Sequence, residues 1–107
     1  MPRETLQGTL DLLILKTIAR GPTHGYGITC GILSASQNQL RVEEGSLYPA
    51  LRRLESAGLV KAEWKPSENN RRARYYELTR TGRKRLREIE DDWRAHTEVI
   101  EQFLAYE

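Results

Sequence analysis

Between Thr5 and Arg20, Leu6, Leu10, Leu13, Ile14, Thr17 and Ile18 recur three or four residues apart. That spacing predicts an amphipathic helix with one buried face. Leu12 and Leu15 fall off this face, and in so short a chain they are expected to meet another subunit. Arg20-Gly21-Pro22 stops the helix, with a glycine past its end and then a proline. Thr23 or His24 caps a second helix running to about Ser36, with Ile28, Ile32 and Leu33 turned inward. Its glycines Gly25, Gly27 and Gly31 weaken intrinsic helix propensity, so packing must support it. The stretch Ser36–Leu40 reads as a polar connection.

A third helix is expected from about Gly45 to Gly58, buried through Leu47, Leu51 and Leu54. Pro49 has no amide donor and crowds the carbonyl four residues back, which places it in the first turn or just beyond. Glu43 and Glu44 then flank the positive end of the helix dipole. Farther on, Val60, Ala62 and Trp64 alternate with Lys61, Glu63 and Lys65, the period of a half-buried strand over Leu59–Lys65. Tyr75, Tyr76 and Leu78 supply the β-formers of a return strand over Ala73–Thr79, and Pro66 to Arg72 is its polar tip. Thr79 or Thr81 begins a last helix through about Phe103. The order helix, helix, helix, hairpin, helix predicts a mainly α fold with a β-hairpin wing: a winged helix-turn-helix over residues 1–80, then one C-terminal dimerisation helix over 81–107.

At 107 residues the chain suits one domain, which buries roughly two-thirds of its unfolded surface. No apolar run approaches the ~18 residues of a membrane span, and no signal-peptide pattern follows Met1-Pro2-Arg3-Glu4. The single cysteine, Cys30, excludes an internal disulfide and fits a reducing, cytoplasmic setting. The net charge of +2 hides a pattern: +1 over residues 1–40, +6 over 41–85 and −5 over 86–107. A basic middle joined to an acidic tail points to one segment facing a polyanion and another with a different task.

The third helix fits that polyanion. Opposite its leucines it carries Ser46, Tyr48, Pro49, Arg52, Arg53 and Ser56. A helix fills the DNA major groove, arginine donates two hydrogen bonds to guanine, and hydroxyls reach phosphates or base edges. At the hairpin tip Arg71, Arg72 and Arg74 gather beside Asn69 and Asn70, where like charges repel unless phosphates or a narrow minor groove draw them together. On the last helix Leu86, Ile89, Trp93, His96, Ile100 and Phe103 are spaced 3, 4, 3, 4 and 3, a coiled-coil-like seam for a homodimer. Trp93 could also flank a pocket at the dimer axis.

Catalytic and cofactor chemistry find no foothold. His24 and His96 lack partners at metal-ligand spacing, and His24 reads better as a cap or packing residue. Cys30 reads as a small buried side chain, and the adjacent Asp91 and Asp92 point apart on a helix. A protein–protein module on the same winged fold, without a DNA operator, is the alternative function.

The strings THGYGI (23–28), EEGSLYPALRRLESAGLV (43–60) and NNRRARYYELTRTGRKRL (69–86), with Trp93 after them, resemble the PadR family of bacterial transcription regulators. The resemblance runs from about Leu6 to Leu104, and the single C-terminal helix resembles the short branch of the family. It implies a homodimer on an inverted-repeat operator, usually a repressor, with Tyr48, its helix-three neighbours and the basic wing residues at DNA. It also implies release in some members by aromatic or drug-like compounds, for which Trp93 would be the matching pocket residue.

Overall fold

The computed structural model describes residues 2–106, with side chains from residue 8 onward; Leu6 therefore lies outside the described side chains. Four helices and three short strands follow in order: α1 Pro2–Ile18, β1 Thr23–His24, α2 Gly25–Ala35, α3 Glu44–Ser56, β2 Val60–Pro66, β3 Arg72–Leu78 and α4 Arg80–Ala105. The sheet is antiparallel in the order β1-β3-β2. Pairing of Thr23 with Tyr76 and of His24 with Tyr75 adds β1 to the hairpin, an element too short to show in the hydrophobic pattern. None of the described helices is long and apolar enough to cross a membrane.

One core joins the winged unit. Ile14, Leu15 and Ile18 of α1 meet Ile28 and Ile32 of α2, and Leu47, Ala50, Leu51 and Leu54 of α3. Val60, Tyr76, Leu78 and Leu86 close it from the hairpin and α4. This corrects two expectations. Leu15 is fully buried inside its own chain and unavailable to a second subunit, because α1 turns the side of Ile14, Leu15 and Ile18 inward. Leu86 is likewise a core residue, and Ile89 is half-buried against that core, so the first turns of the expected seam pack within the chain. Leu12 remains half-buried.

Capping sets the joints. His24 precedes α2 and its Nδ1 accepts the Gly27 amide at 3.0 Å, the work of an N-cap. After α3, Gly58 (φ 77°) and Leu59 donate to the carbonyls of Glu55 and Leu54, a Schellman closure that turns the chain straight into β2. Thr79 caps α4: its Oγ1 accepts the Gly82 amide at 2.9 Å and donates to the Gly58 carbonyl at 2.7 Å. Gly82 lies so close to the Leu59 carbonyl that a Cβ there would overlap the oxygen. The start of α4 is thereby stapled to the end of α3.

Pro49 is the sixth residue of α3, deeper than the first turn. Glu44 opens the helix one residue earlier than expected, and the amide missing at Pro49 is the one that would have bonded Gly45. With about 100° per residue, Gly45 and Pro49 both lie opposite the buried leucines, so the freed carbonyl is on the solvent side. Beyond Glu90, every residue of α4 from 91 to 105 is exposed, and apart from Trp93 and Arg94, which border α1, that part of the helix projects away from the body.

Candidate nucleic-acid interface

The buried residues of α3 fix which way the rest of it points. Opposite Leu47, Ala50, Leu51 and Leu54, the helical period puts Gly45, Pro49, Arg52 and Ser56 on the outer crest. Ser46 and Arg53 fall on the flank toward α1, and Tyr48 and Glu55 on the flank toward the sheet. All of Ser46, Tyr48, Pro49, Arg52, Arg53 and Ser56 are exposed.

Neighbouring elements engage both flanks. Arg53 donates from both terminal nitrogens to the two Asp11 carboxylate oxygens, each at 3.0 Å, tying α3 to α1. That fork raises the Arg53 pKa further above its usual range. On the other flank Arg74 donates to Glu55 at 2.8 Å, tying β3 to α3. Arg53 and Arg74 were both expected at the ligand face; each is also paired to an acid of its own chain, and Arg74 still lines the groove between the wing and the helices. Their acidic partners were invisible in the linear pattern because Asp11 lies 42 residues from Arg53 and Glu55 lies 19 residues from Arg74. Among the described residues no ion pair joins Arg52, Arg71 or Arg72 to an acid.

The wing tip is built by a tight turn. Asn70 donates to the Ser67 carbonyl at 2.9 Å, Ser67 donates to the Arg71 carbonyl at 2.7 Å, and Asn70 takes the left-handed conformation (φ 63°). Asparagine tolerates that region, which gives Asn70 a backbone task beside any contact of its side chain. The turn sets Arg71 and Arg72 side by side at the exposed end of the hairpin. Glu68 leans back to His24, its carboxylate 3.5 Å from the imidazole Nε2, and so ties the tip to the start of α2. The His24 and Tyr75 rings meet edge to face, with centroids 5.1 Å apart.

Trp64 departs from its expected place. It pairs with Arg74 across the hairpin, on the same face as the inward pairs Val60–Leu78 and Ala62–Tyr76. Yet it is 53% exposed, because the hairpin outruns the body and its inner face opens into a groove. The groove holds about 610 Å³ between Trp64, Arg71 and Arg72 on the wing and Tyr26 and Tyr48 on the helices. Tyr48 lies against Gly25, where a Cβ would strike its hydroxyl, so the glycine in the first turn of α2 makes room for the tyrosine. Tyr26 and Trp64 were not among the expected site residues. Tyr26 is marked in sequence only by its place next to Gly25, whereas the alternation around Trp64 gave its face correctly but implied burial.

A second hollow lies on the far side of α1. Trp93 borders a cleft of about 340 Å³ with Leu12, Leu13, Ile32 and Leu40. Lys16 and Glu90 close one end with an ion pair of 2.7 Å. His96 lies beside Trp93, with ring centroids 6.3 Å apart, and Ile100 and Phe103 continue the exposed apolar line. Cys30, expected inside, is exposed on α2.

Known proteins share this arrangement. Residues 14–88 match the Transcriptional regulator PadR-like family. A transcriptional regulator of Mycobacterium tuberculosis is 35% identical over 95% of this chain and 89% of its own. Among solved structures, a transcriptional regulator from Clostridium thermocellum superposes with a TM-score of 0.84 at 29% identity, over 94% of this chain and 97% of the other. A PadR-family transcriptional regulator from Eggerthella lenta gives 0.80 at 33% identity, over 100% and 91%. These are regulators and not enzymes, and their likeness spans the helices, the wing and α4 alike. The chain belongs to the PadR-like family of transcriptional regulators.

Proposed function

We propose that this regulator binds double-stranded DNA as a homodimer and represses transcription from an inverted-repeat operator. The observation that carries the reading is that two neighbouring elements each present exposed arginines with no acidic partner among the described residues: Arg52 on the outer crest of α3, and Arg71 and Arg72 at the wing tip. With α3 in the major groove, Arg52 is the base-reading side chain, flanked by Ser46, Tyr48 and Pro49. The wing arginines neutralise the adjacent backbone. A twofold pair would present two such helices about 34 Å apart, in successive major grooves.

The dimer is supported by what the single chain leaves uncovered. Trp93, Ile100, Phe103 and Leu104 are exposed along α4, beside the half-buried Leu12 of α1. A coupled small-molecule response is supported by the cleft at Trp93, whose walls are largely apolar and whose size suits an aromatic compound.

Gel-shift titration against DNA from upstream of its own gene tests the reading. Neutralising several phosphates makes affinity fall steeply between 50 and 200 mM salt, by roughly tenfold or more. Affinity independent of salt, or absence of any shift at low salt, overturns it in favour of a protein-binding winged helix.

A further inference from the structure

We propose that Trp64 is a direct DNA contact, with its indole seated against the deoxyribose–phosphate strand that passes between the wing and α3. This contact rests on the reading of the chain as a DNA-binding regulator and adds to it an apolar anchor among the basic ones.

The argument begins with an exposed ring on an inward face. Val60, Ala62 and Trp64 share one side of β2; the first is buried, the second half-buried and the third is open. A large ring left half in water on a concave surface forgoes the burial that normally places tryptophan. Its neighbours show what it faces. The Arg72 guanidinium lies 5.7 Å from the ring centre and that of Arg74 lies 5.9 Å away. Both guanidinium groups lie within cation–π reach of the ring; Arg74 is also paired to Glu55, which leaves Arg72 as the cation beside the indole without an acidic partner among the described residues. Across the groove stand Tyr26 and Tyr48; of its lining charges Arg74 is paired to Glu55, which leaves Arg71 and Arg72 against Glu68. A positive groove walled by aromatic rings suits a ligand that alternates anionic and apolar groups along its length. A nucleic-acid backbone does so: its phosphates meet Arg71 and Arg72 while a sugar face packs on the indole.

Two roles for Trp64 give different measurements. As a direct contact it contributes apolar packing and releases no counterions. As a prop for Arg72 and Arg74 it acts through their charges. Salt dependence separates them, because losing a phosphate-neutralising cation lowers the salt slope by about one, whereas losing an apolar contact leaves it unchanged.

The experiment uses the full chain and a 25-base-pair duplex of mixed sequence at low salt, followed by anisotropy of a labelled strand. Trp64→Ala is expected to weaken binding about tenfold with an unchanged salt slope, and Trp64→Phe to restore part of the loss. Arg72→Ala is expected to lower the slope. In parallel, acrylamide quenching with unlabelled duplex reads the two tryptophans, and subtracting the Trp64→Phe signal isolates Trp64. Trp64 should become shielded when DNA is added. A reduced salt slope in Trp64→Ala, or quenching of Trp64 that is the same with and without bound duplex, overturns the contact and leaves DNA binding intact. If the unaltered chain binds no duplex, both the DNA-binding reading and the contact fall.

Discussion

Arg53 commits both terminal nitrogens of its guanidinium to Asp11, whereas its neighbour Arg52 projects from the crest of α3 with no acidic partner among the described residues. Arg52→Ala is therefore expected to relax discrimination at one operator base pair by about 1–3 kcal/mol, read by comparing specific with scrambled duplexes. Arg53→Ala should leave that discrimination intact and lower stability by about 1 kcal/mol, since the pair it breaks is only partly buried. The reverse outcome would give base reading to Arg53. Glu90 supplies a pH-dependent tie of the same kind. The Lys16 ammonium hydrogen-bonds its carboxylate and holds its pKa below the usual carboxylate range. A carboxyl lowered in the folded state adds stability above its unfolded value and loses it as the pH falls through the folded one. The melting temperature of Glu90→Gln should thus lie below that of the parent at pH 7, and the gap should close below about pH 4. A gap unchanged across that range would remove the Lys16–Glu90 pair as its source.

Besides the core along their length, the elements of the winged unit are fastened at their ends. The start of α4 depends on Thr79, whose hydroxyl caps the helix and reaches back to the Gly58 carbonyl, and on Gly82, which lets the Leu59 backbone approach. A methyl at Gly82 would meet a backbone oxygen that cannot rotate away. Gly82→Ala is expected to cost about 1–3 kcal/mol in denaturant unfolding, although alanine is the better helix former. An unchanged midpoint would show that the α3–α4 joint can open freely. The wing is tied to α3 by the ion pair of Arg74 with Glu55, and its tip meets the start of α2 where the Glu68 carboxylate approaches His24. Asp11 and Arg53 tie α3 from the other side, which leaves the crest between two braced flanks.

The whole molecule is asymmetric, a packed winged unit with a helix of 26 residues, about 39 Å, extending from it. Its long axis of 58 Å is twice the next, in keeping with that projection. Phe103 is 73% exposed near the helix end, with Val99, Ile100 and Leu104 close by. Such an apolar stripe on a free helix calls for a partner surface. Phe103→Glu is expected to shift the chain from dimer toward monomer by light scattering and to weaken operator binding with it. Leu86→Glu, by contrast, should unfold the chain, since Leu86 is 6% exposed within its own core. A dimer unaffected by Phe103→Glu would move the interface off the distal half of α4.

Helical period, strand alternation and the stop signals at Gly21 and Gly58 are local, and they determined the winged plan and the order of every element but β1 from the chain alone. The charge pattern likewise placed the basic surface in the middle of the chain, on the third helix and the hairpin. Tertiary structure alone decided which basic side chains are free. Asp11 and Glu55 reach Arg53 and Arg74 only when α1 and the hairpin pack on α3, and no spacing rule links residues 42 or 19 apart. It also decided where alternation stops meaning burial, because Trp64 keeps the inward phase of β2 after the body beneath it has ended. Leu15 and Leu86 show the same limit in the opposite sense: period names a face of a helix, and only packing says whether that face meets its own core or another chain.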